Sequence, residues 1–532
     1  MRSPSISPQN VIASVDPPSV SASKLRKEDP KFLSQFGFPL GYDGYIPNNR
    51  LRDLRMKAAK IDENSEELQK YVNRLLEFSN GEVSYSGTSS SETKVLRPVL
   101  DRLMTLIANG MQSKKEFLGS VSSKAGVSLP KRDQFVLATQ TSEPGPCVVY
   151  DCCTESGFSD SFIVIGSEAK GCEHSLIEGF SQVLHCIGEG CISLRRAGLE
   201  ESDCAVPGLL IAGDQIQFIG TYLLPPAYPC FMTLSRAYCL FSYSDLRKIG
   251  KWIIALQLYG IHTCAIINDS LNSQKHAQKP KLPKVSLRFD GLWMKLVRPD
   301  LSFYYNTARA MASQIFYTFE LLYSDEDLRN YIAFPVGVAQ YPTHGSPLAR
   351  MLRENSYLGK LVDENIKEIE KNGFLIIYSE LKGQSLQEFL SKENIIEHSV
   401  ILTKIKSKLK VFVDLLNKVK VAHMDLRPSN IMVSIDEAGC VIDLKVFDWD
   451  DALLFGTRPP DEAIDTFSTD QRYPQFDTAS DDGSKFVVGE WCNSHFLDLL
   501  LNYIEQKIKN QNNNMTFSKF CESFKLHLNI SN

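Results

Sequence analysis

The sequence predicts two domains, each mixing helices and strands. Three observations carry this. At 532 residues the chain is too long for one core. A polar, basic, proline-broken stretch, N-D-S-L-N-S-Q-K-H-A-Q-K-P-K-L-P-K from Asn268 to Lys284, divides it. On both sides, runs of helical period alternate with short β-branched or aromatic runs. The expected layout is a loosely ordered tail over 1–49, a first domain over 50–267, a linker over 268–284 and a second domain over 285–532.

Taking the elements in order, residues 1 to about 28 are rich in Ser and Pro with few aromatics, too little apolar surface to offset chain entropy. Residues 50–78 have helical spacing, with Leu68, Val72, Leu75 and Leu76 between charges. A second helix is expected from Ser91-Glu92 to Ile107, with Val95, Val99, Leu100 and Leu103 on one face. Three strands follow, Gln134 to Thr139, Cys147 to Tyr150 and Ser161 to Gly166, then a helix from His174 to Ile187. Ala212-Gly213-Asp214 reads as a hairpin turn, and Tyr243 to Tyr259 as a helix.

In the second half, G-L-W-M-K-L-V places Lys295 in a strand, and a helix is expected over Tyr305 to Tyr323. Strands are expected at Ile332 to Val338 and Phe374 to Ser379, the latter leading through E-L-K-G-Q-S into a short helix. A long helix from Glu397 to Lys420 carries Leu402, Ile405, Leu409, Phe412, Leu415 and Leu416 at spacings of mostly three and four. The last expected helix runs from Glu490 to Ile508.

Composition narrows the function classes. Hydrophobic residues at 43% and charged residues at 23% are ordinary for a soluble globular protein. A net charge of -5 argues against electrostatic coating of nucleic acid. The start, M-R-S-P-S-I-S-P-Q-N, lacks the apolar run of a secretory signal. The most apolar later stretch, Trp252 to Ile267, is short of a membrane span and is interrupted by Gln257 and His262. Thirteen cysteines without C-x-x-C spacing are expected to be reduced thiols, and a zinc site near Cys172, His174 and Cys186 is disfavoured. These features predict an intracellular protein of the cytoplasm or nucleus, with neither membrane nor secreted partners.

Two constellations carry chemistry. The first is V-A-H-M-D-L-R-P-S-N-I-M-V, followed by the strand L-K-V-F that ends in D-W-D. It supplies an acid at Asp425, an amide at Asn430 and a second acid at Asp448. Phosphoryl transfer requires such a set: one carboxylate to accept the proton of the attacking hydroxyl, and an amide and a carboxylate to hold Mg²⁺ on the ATP phosphates. H-x-D-L-R-P-x-N-I resembles the catalytic loop of the eukaryotic protein kinases. The resemblance implies a two-lobed α+β fold, with Asp425 as catalytic base, Arg427 as phosphate-contacting cation, and Asn430 and Asp448 as Mg²⁺ ligands. It further implies that Lys295 contacts the ATP phosphates and pairs with Glu320 on the next helix. The pattern departs from the family at several places. Met424 replaces the arginine of H-R-D, Trp449 and Asp450 replace the last two residues of D-F-G, and no G-x-G-x-x-G precedes Lys295. D-W-D looks more like the related small-molecule phosphotransferases, such as aminoglycoside and choline kinases.

The second constellation is S-F-I-V-I-G-S-E-A-K, an apolar strand ending in Glu168 and Lys170. Residues two apart on a strand share a face. With an upstream acid they resemble the PD-(D/E)xK nuclease superfamily of restriction-endonuclease-like α/β domains. That resemblance implies that Glu168 and an upstream acid hold a divalent metal while Lys170 orients or activates the attacking water. Asp133 in R-D is the favoured upstream acid and Asp151 the runner-up; Glu92 and Gln182 match flanking positions of the family.

A nuclease-like domain followed by a kinase-like domain resembles the Crinkler effector architecture. The expectation is a divergent protein kinase using ATP and Mg²⁺ on a protein Ser or Thr hydroxyl. The alternatives are a pseudokinase binding module, or a Mg²⁺-dependent nuclease in the first domain acting on nucleic acid.

Overall fold

Asn48 opens the first described helix because its side chain takes an orphan backbone donor: Oδ1 accepts from Leu51 N at 3.1 Å. In this computed structural model the described residues are 44–81, 96–114, 119–124, 146–153, 159–170, 183, 186–188, 190–195, 197–224, 228–273, 292–297, 308–340, 374–379, 381–391, 399–436, 441–459, 487–510 and 515–521. The chain forms two compact units. The first is built mainly from Ile46–Gly291; the second contains Asp43–Tyr45, Leu292–Pro335 and Lys371–Asn532.

In the first unit, α1 (Asn49–Lys60) and α2 (Glu66–Gly81) replace the single helical run expected over 50–78. The break has a local cause. Asp62 Oδ1 accepts from Asn64 N at 2.9 Å, and Asp62 O accepts from Ser65 Oγ at 3.0 Å, bonds that compete with the helical ladder. Ser65 Oγ then accepts from Leu68 N at 3.3 Å and starts α2. Helix α3 (Arg97–Ser113) has Pro98 in its first turn, where a missing donor costs nothing.

Strands β1 (Ser120–Lys124), β2 (Cys147–Cys153) and β3 (Ser159–Lys170) form an antiparallel meander. Helical residues 186–188 and 190–195 follow, then β4 (Ala205–Ala212), parallel to β3. A parallel step needs a crossover, and these helical turns lie on it. Strands β5 (Gln215–Leu224), β6 (Tyr228–Thr233) and β7 (Tyr238–Cys239) complete a seven-stranded mixed sheet in the order β1-β2-β3-β4-β5-β6, with β7 on β5. Every residue of β4 is buried, so its sequence shows no alternation. The expected hairpin is present: Ala212 pairs with Gln215 across Gly213-Asp214, and Gly213 has φ 60°. Gly166 and Gly208 are neighbours across the β3–β4 pair. A Cβ on Gly166 would lie 2.4 Å from Ile187 Cγ2, so glycine there lets the covering helix sit directly on the sheet.

Helix α4 (Tyr243–Ser273) spans 31 residues and runs beyond the expected end at Tyr259, so the first residues of the expected linker are helical. Asn268 explains the extension: its buried Oδ1 accepts from Tyr150 Oη at 2.6 Å and from Cys152 Sγ at 3.3 Å. By length and composition this helix could cross a membrane. In this unit its Leu246, Ile249, Trp252, Ile253, Leu256 and Tyr259 are buried, and Trp252 stacks on Phe218 at 4.8 Å. The expected strand Gln134 to Thr139 and residues 174–182 of the expected helix lie outside the described residues.

The second unit contains β8 (Leu292–Val297), α5 (Ala308–Ser324), α6 (Glu326–Arg329) and β10 (Phe374–Ser379); β9 (Pro335–Gln340), which lies between α6 and β10 in the sequence, has only Pro335 in this unit. β8 and β10 pair antiparallel with Lys295 opposite Ile376. The E-L-K-G-Q-S run leads into β11 (Gln384–Ser385) and α7 (Leu386–Leu390), where Ser385 and Glu388 form a capping box. Helix α8 (Ser399–Lys418) buries Leu402, Ile405, Leu409, Phe412 and Leu416, the face its spacing predicts. Then follow β12 (Val421–Ala422), β13 (Ile431–Ile435), β14 (Val441–Val446), β15 (Leu453–Leu454) and α9 (Glu490–Asn510). β11, β13 and β14 form one small sheet, and β12 pairs with β15. Trp449 is the keystone of the packing here, with ring centroids 6.4 Å from both Phe319 and Phe412.

Candidate active site

The segment between β12 and β13 brings Asp425, Arg427 and Asn430 together, and the turn after β14 delivers Asp448 and Asp450. Buried Asn430 donates from Nδ2 to Asp425 O and to Asp425 Oδ2, both at 2.9 Å. Arg427 Nη2 lies 3.1 Å from the same Oδ2. One hydrogen bond and one ion pair on the same oxygen hold the Asp425 carboxylate in a single orientation. Phe447 N donates to Asn430 O at 3.1 Å, tying the first segment to the turn that bears Asp448.

His423 makes a second tie. Its ring is buried, Nε2 lies 3.0 Å from Phe447 O, and Nδ1 accepts from Asp425 N at 3.3 Å. The pattern assigns the tautomer: Nε2–H donates and Nδ1 accepts, so the imidazole is neutral. Burial agrees, pushing its pKa down to about 4. The ring also packs on Trp449 at 4.4 Å. Met424 and Asp448 adopt left-handed backbone with φ of 61° and 71°. Such conformations are uncommon for non-glycine residues and concentrate at functional sites.

Lys295 projects from β8 to the aspartates of the turn, pairing with Asp448 and, at 2.5 Å, with Asp450. Glu320, the expected partner on α5, is not among its contacts. The reason lies in the sequence departure already noted: Asp450, in place of a glycine, puts a second carboxylate beside the ammonium. Burial opposes the charge on Lys295, but the two aspartates outweigh it and raise its pKa. Burial likewise raises Asp448, yet Lys295, helped by Arg427, brings it below the ordinary carboxylate value. Asp450 goes the other way: burial pushes it up to about 7 against the pull of Lys295. Burial, with the charges of Asp425 and Asp448, also pushes Asp451 up to about 6.

These oxygens suit a hard cation. Asn430 and Asp448 offer amide and carboxylate oxygens, and Asp450 Oδ1 is buried without a hydrogen-bond partner among the described residues. Arg427 Nε is a buried donor in the same position. No group of three or more His, Cys, Asp or Glu side chains placed to hold a metal occurs among the described residues, so an ion here would rely on the Asn430 amide and bound phosphate oxygens. Asp450 and His423 are the residues whose roles the motif comparison missed. The D-x-D spacing around an aromatic residue was the available signal for Asp450.

In the first unit, Glu168 is buried in β3 and pairs in register with Leu210 of β4. Lys170 is opposite Ala212 at the end of the same strand; its side chain lies outside the described residues, as do Asp133, Glu92 and Gln182. The runner-up acid, Asp151, is not beside Glu168. Asp151 is in register with Ser161, seven residues before Glu168 on the same strand, a separation of roughly 20 Å. It instead bonds Lys124 Nζ at 2.6 Å and Ser161 Oγ at 2.6 Å. Pairing with a neighbouring strand's lysine accounts for this acid without a metal.

No protein-family model matches this chain, and no curated protein matches its sequence.

Proposed function

We propose that the second unit is a divergent protein kinase that transfers the γ-phosphate of ATP, with Mg²⁺, to a Ser or Thr hydroxyl of a protein. The observation that carries this reading is the linkage of Asp425, Asn430, Asp448 and Lys295, drawn from three separate segments, into one site by His423, the Phe447 backbone and the ion pairs of Lys295. A surface turn has no use for that convergence.

Asp425 would accept the proton of the attacking hydroxyl, its carboxylate oriented by Asn430 and Arg427. Arg427 and Lys295 would offset phosphate charge, Lys295 exchanging its aspartate contacts for phosphate oxygens. Asn430 and Asp448 would hold Mg²⁺, with Asp450 as an added carboxylate. The bound ion supplies charge neutralisation on the phosphates. The order of Lys295 strand, helix, two strands, short helix, long helix and catalytic loop also supports the kinase reading. An intracellular setting with a protein substrate belongs to it.

The test is transfer of label from γ-labelled ATP to the protein itself and to a generic basic acceptor, beside Asp448→Ala. Label lost in the variant supports the kinase. No label in either, with no ATP-induced thermal shift, replaces this reading with a pseudokinase binding module.

A second reading concerns the first unit, a Mg²⁺-dependent nuclease with Glu168 and Asp133 on the metal and Lys170 on the water. It is supported by the order of helix α3, antiparallel strands, Glu168 on β3, covering helix and parallel β4. Together the two readings give a Crinkler-like architecture. Lys170→Ala should abolish Mg²⁺-dependent nicking of plasmid DNA while leaving the far-ultraviolet dichroism unchanged. Nicking that persists in the variant removes Lys170 from the chemistry.

A further inference from the structure

Cys147 opens β2, and Cys186 is one of the helical residues that cover β3. Both are fully buried, and their Sγ atoms are 3.1 Å apart. Val149 and Ile163 complete the apolar cluster around them. A disulfide closes at about 2.05 Å, so the sulfurs need to approach by only about 1 Å. Cys186 Sγ also lies 3.2 Å from where a Cβ on Gly166 would stand, two residues before Glu168 on β3. The pair therefore sits where strand β2, strand β3 and the covering helix meet.

We propose that Cys147 and Cys186 are a redox modification site, a dithiol that hydrogen peroxide converts to an intramolecular disulfide fastening β2 to the helix over β3. One thiolate attacks the peroxide O–O bond, giving a sulfenic acid and one water; the second thiol attacks that sulfur, forming S–S and releasing a second water. Two thiols and one peroxide thus give one disulfide and two waters, sulfur being oxidised and peroxide oxygen reduced. A thiol reductant such as dithiothreitol reverses the step by exchange. The cross-link spans 39 residues of sequence and restricts the unfolded chain. The proposal is independent of any enzymatic activity assigned to either unit.

The experiment treats the folded full-length protein with hydrogen peroxide, removes the oxidant, unfolds the chain in N-ethylmaleimide to block remaining thiols, and maps peptides without reduction. The expected product is a peptide joining Cys147 to Cys186, about 2 Da lighter than the two reduced peptides together. It should disappear on dithiothreitol treatment and in both Cys147→Ser and Cys186→Ser. The unfolding temperature of the wild type should rise on oxidation, and that rise should be absent from the variants. Partly exposed Cys239 reports that the oxidant acted. Oxidised Cys239 with Cys147 and Cys186 still alkylated as free thiols overturns the proposal, as does either cysteine joined to a different partner.

Discussion

The two units position their acidic residues in opposite ways. In the first, Glu168 belongs to a long strand, and its place follows from sheet register with β4. In the second, Asp425, Asp448 and Asp450 occupy turns between short strands, and side-chain hydrogen bonds hold them together. A strand presents residues on a fixed face but spaces them along a line, which is why Asp151 ends up far from Glu168. Turns let residues from different segments converge, at the cost of strained backbone at Met424 and Asp448 and of cross-ties that must all be kept.

The largest expected effect tests whether convergence in the second unit is chemical. Asp425→Asn should lower the rate of γ-phosphate transfer by about 10²–10⁴-fold, because a positioned base contributes in that range. ATP affinity, followed by thermal shift, should hardly change. Wild-type turnover in the variant would remove Asp425 as the base.

Next in size is the packing beneath the turn. Trp449→Ala removes a buried ring that touches Phe319, Phe412 and His423, and should cost about 3–5 kcal/mol in urea unfolding of the second unit. The matching change in the first unit is smaller. Gly166→Ala pushes a methyl toward Ile187 and should cost about 1–3 kcal/mol through overpacking. A neutral Gly166→Ala would mean that the covering helix can shift, and that strand geometry tolerates more than the turn site does.

The last test concerns pH dependence. Asp450 is pushed up to about 7 in the folded state, against an ordinary carboxyl value of about 4. Between those values the folded protein keeps a proton that the unfolded chain has lost. Its contribution to stability is therefore greatest below that window and is lost as pH rises through it. Asp450→Asn should flatten this part of the decline, read from thermal unfolding at about pH 5 and about pH 8. Equal slopes in wild type and variant would show that Asp450 does not carry a raised pKa.

The sequence alone determined the elements with strong periodicity or punctuation. The apolar stripe of α8, the bounds of β10, the Gly213-Asp214 hairpin and the strand of Lys295 were all legible, because each depends on residues adjacent or one turn apart. The linear motif also identified Asp425, Asn430 and Asp448 as a set, since their spacing is itself the signal. Tertiary structure alone decided that Lys295 pairs with Asp448 and Asp450, because these aspartates come from a turn more than 150 residues away in sequence. It likewise decided that α4 continues through Asn268, whose buried side chain answers Tyr150 and Cys152 from a strand more than a hundred residues away. It separated Asp151 from Glu168, because sheet register, not sequence distance, sets which residues meet. Contacts within a turn are written in local order, whereas contacts between segments depend on where the chain returns.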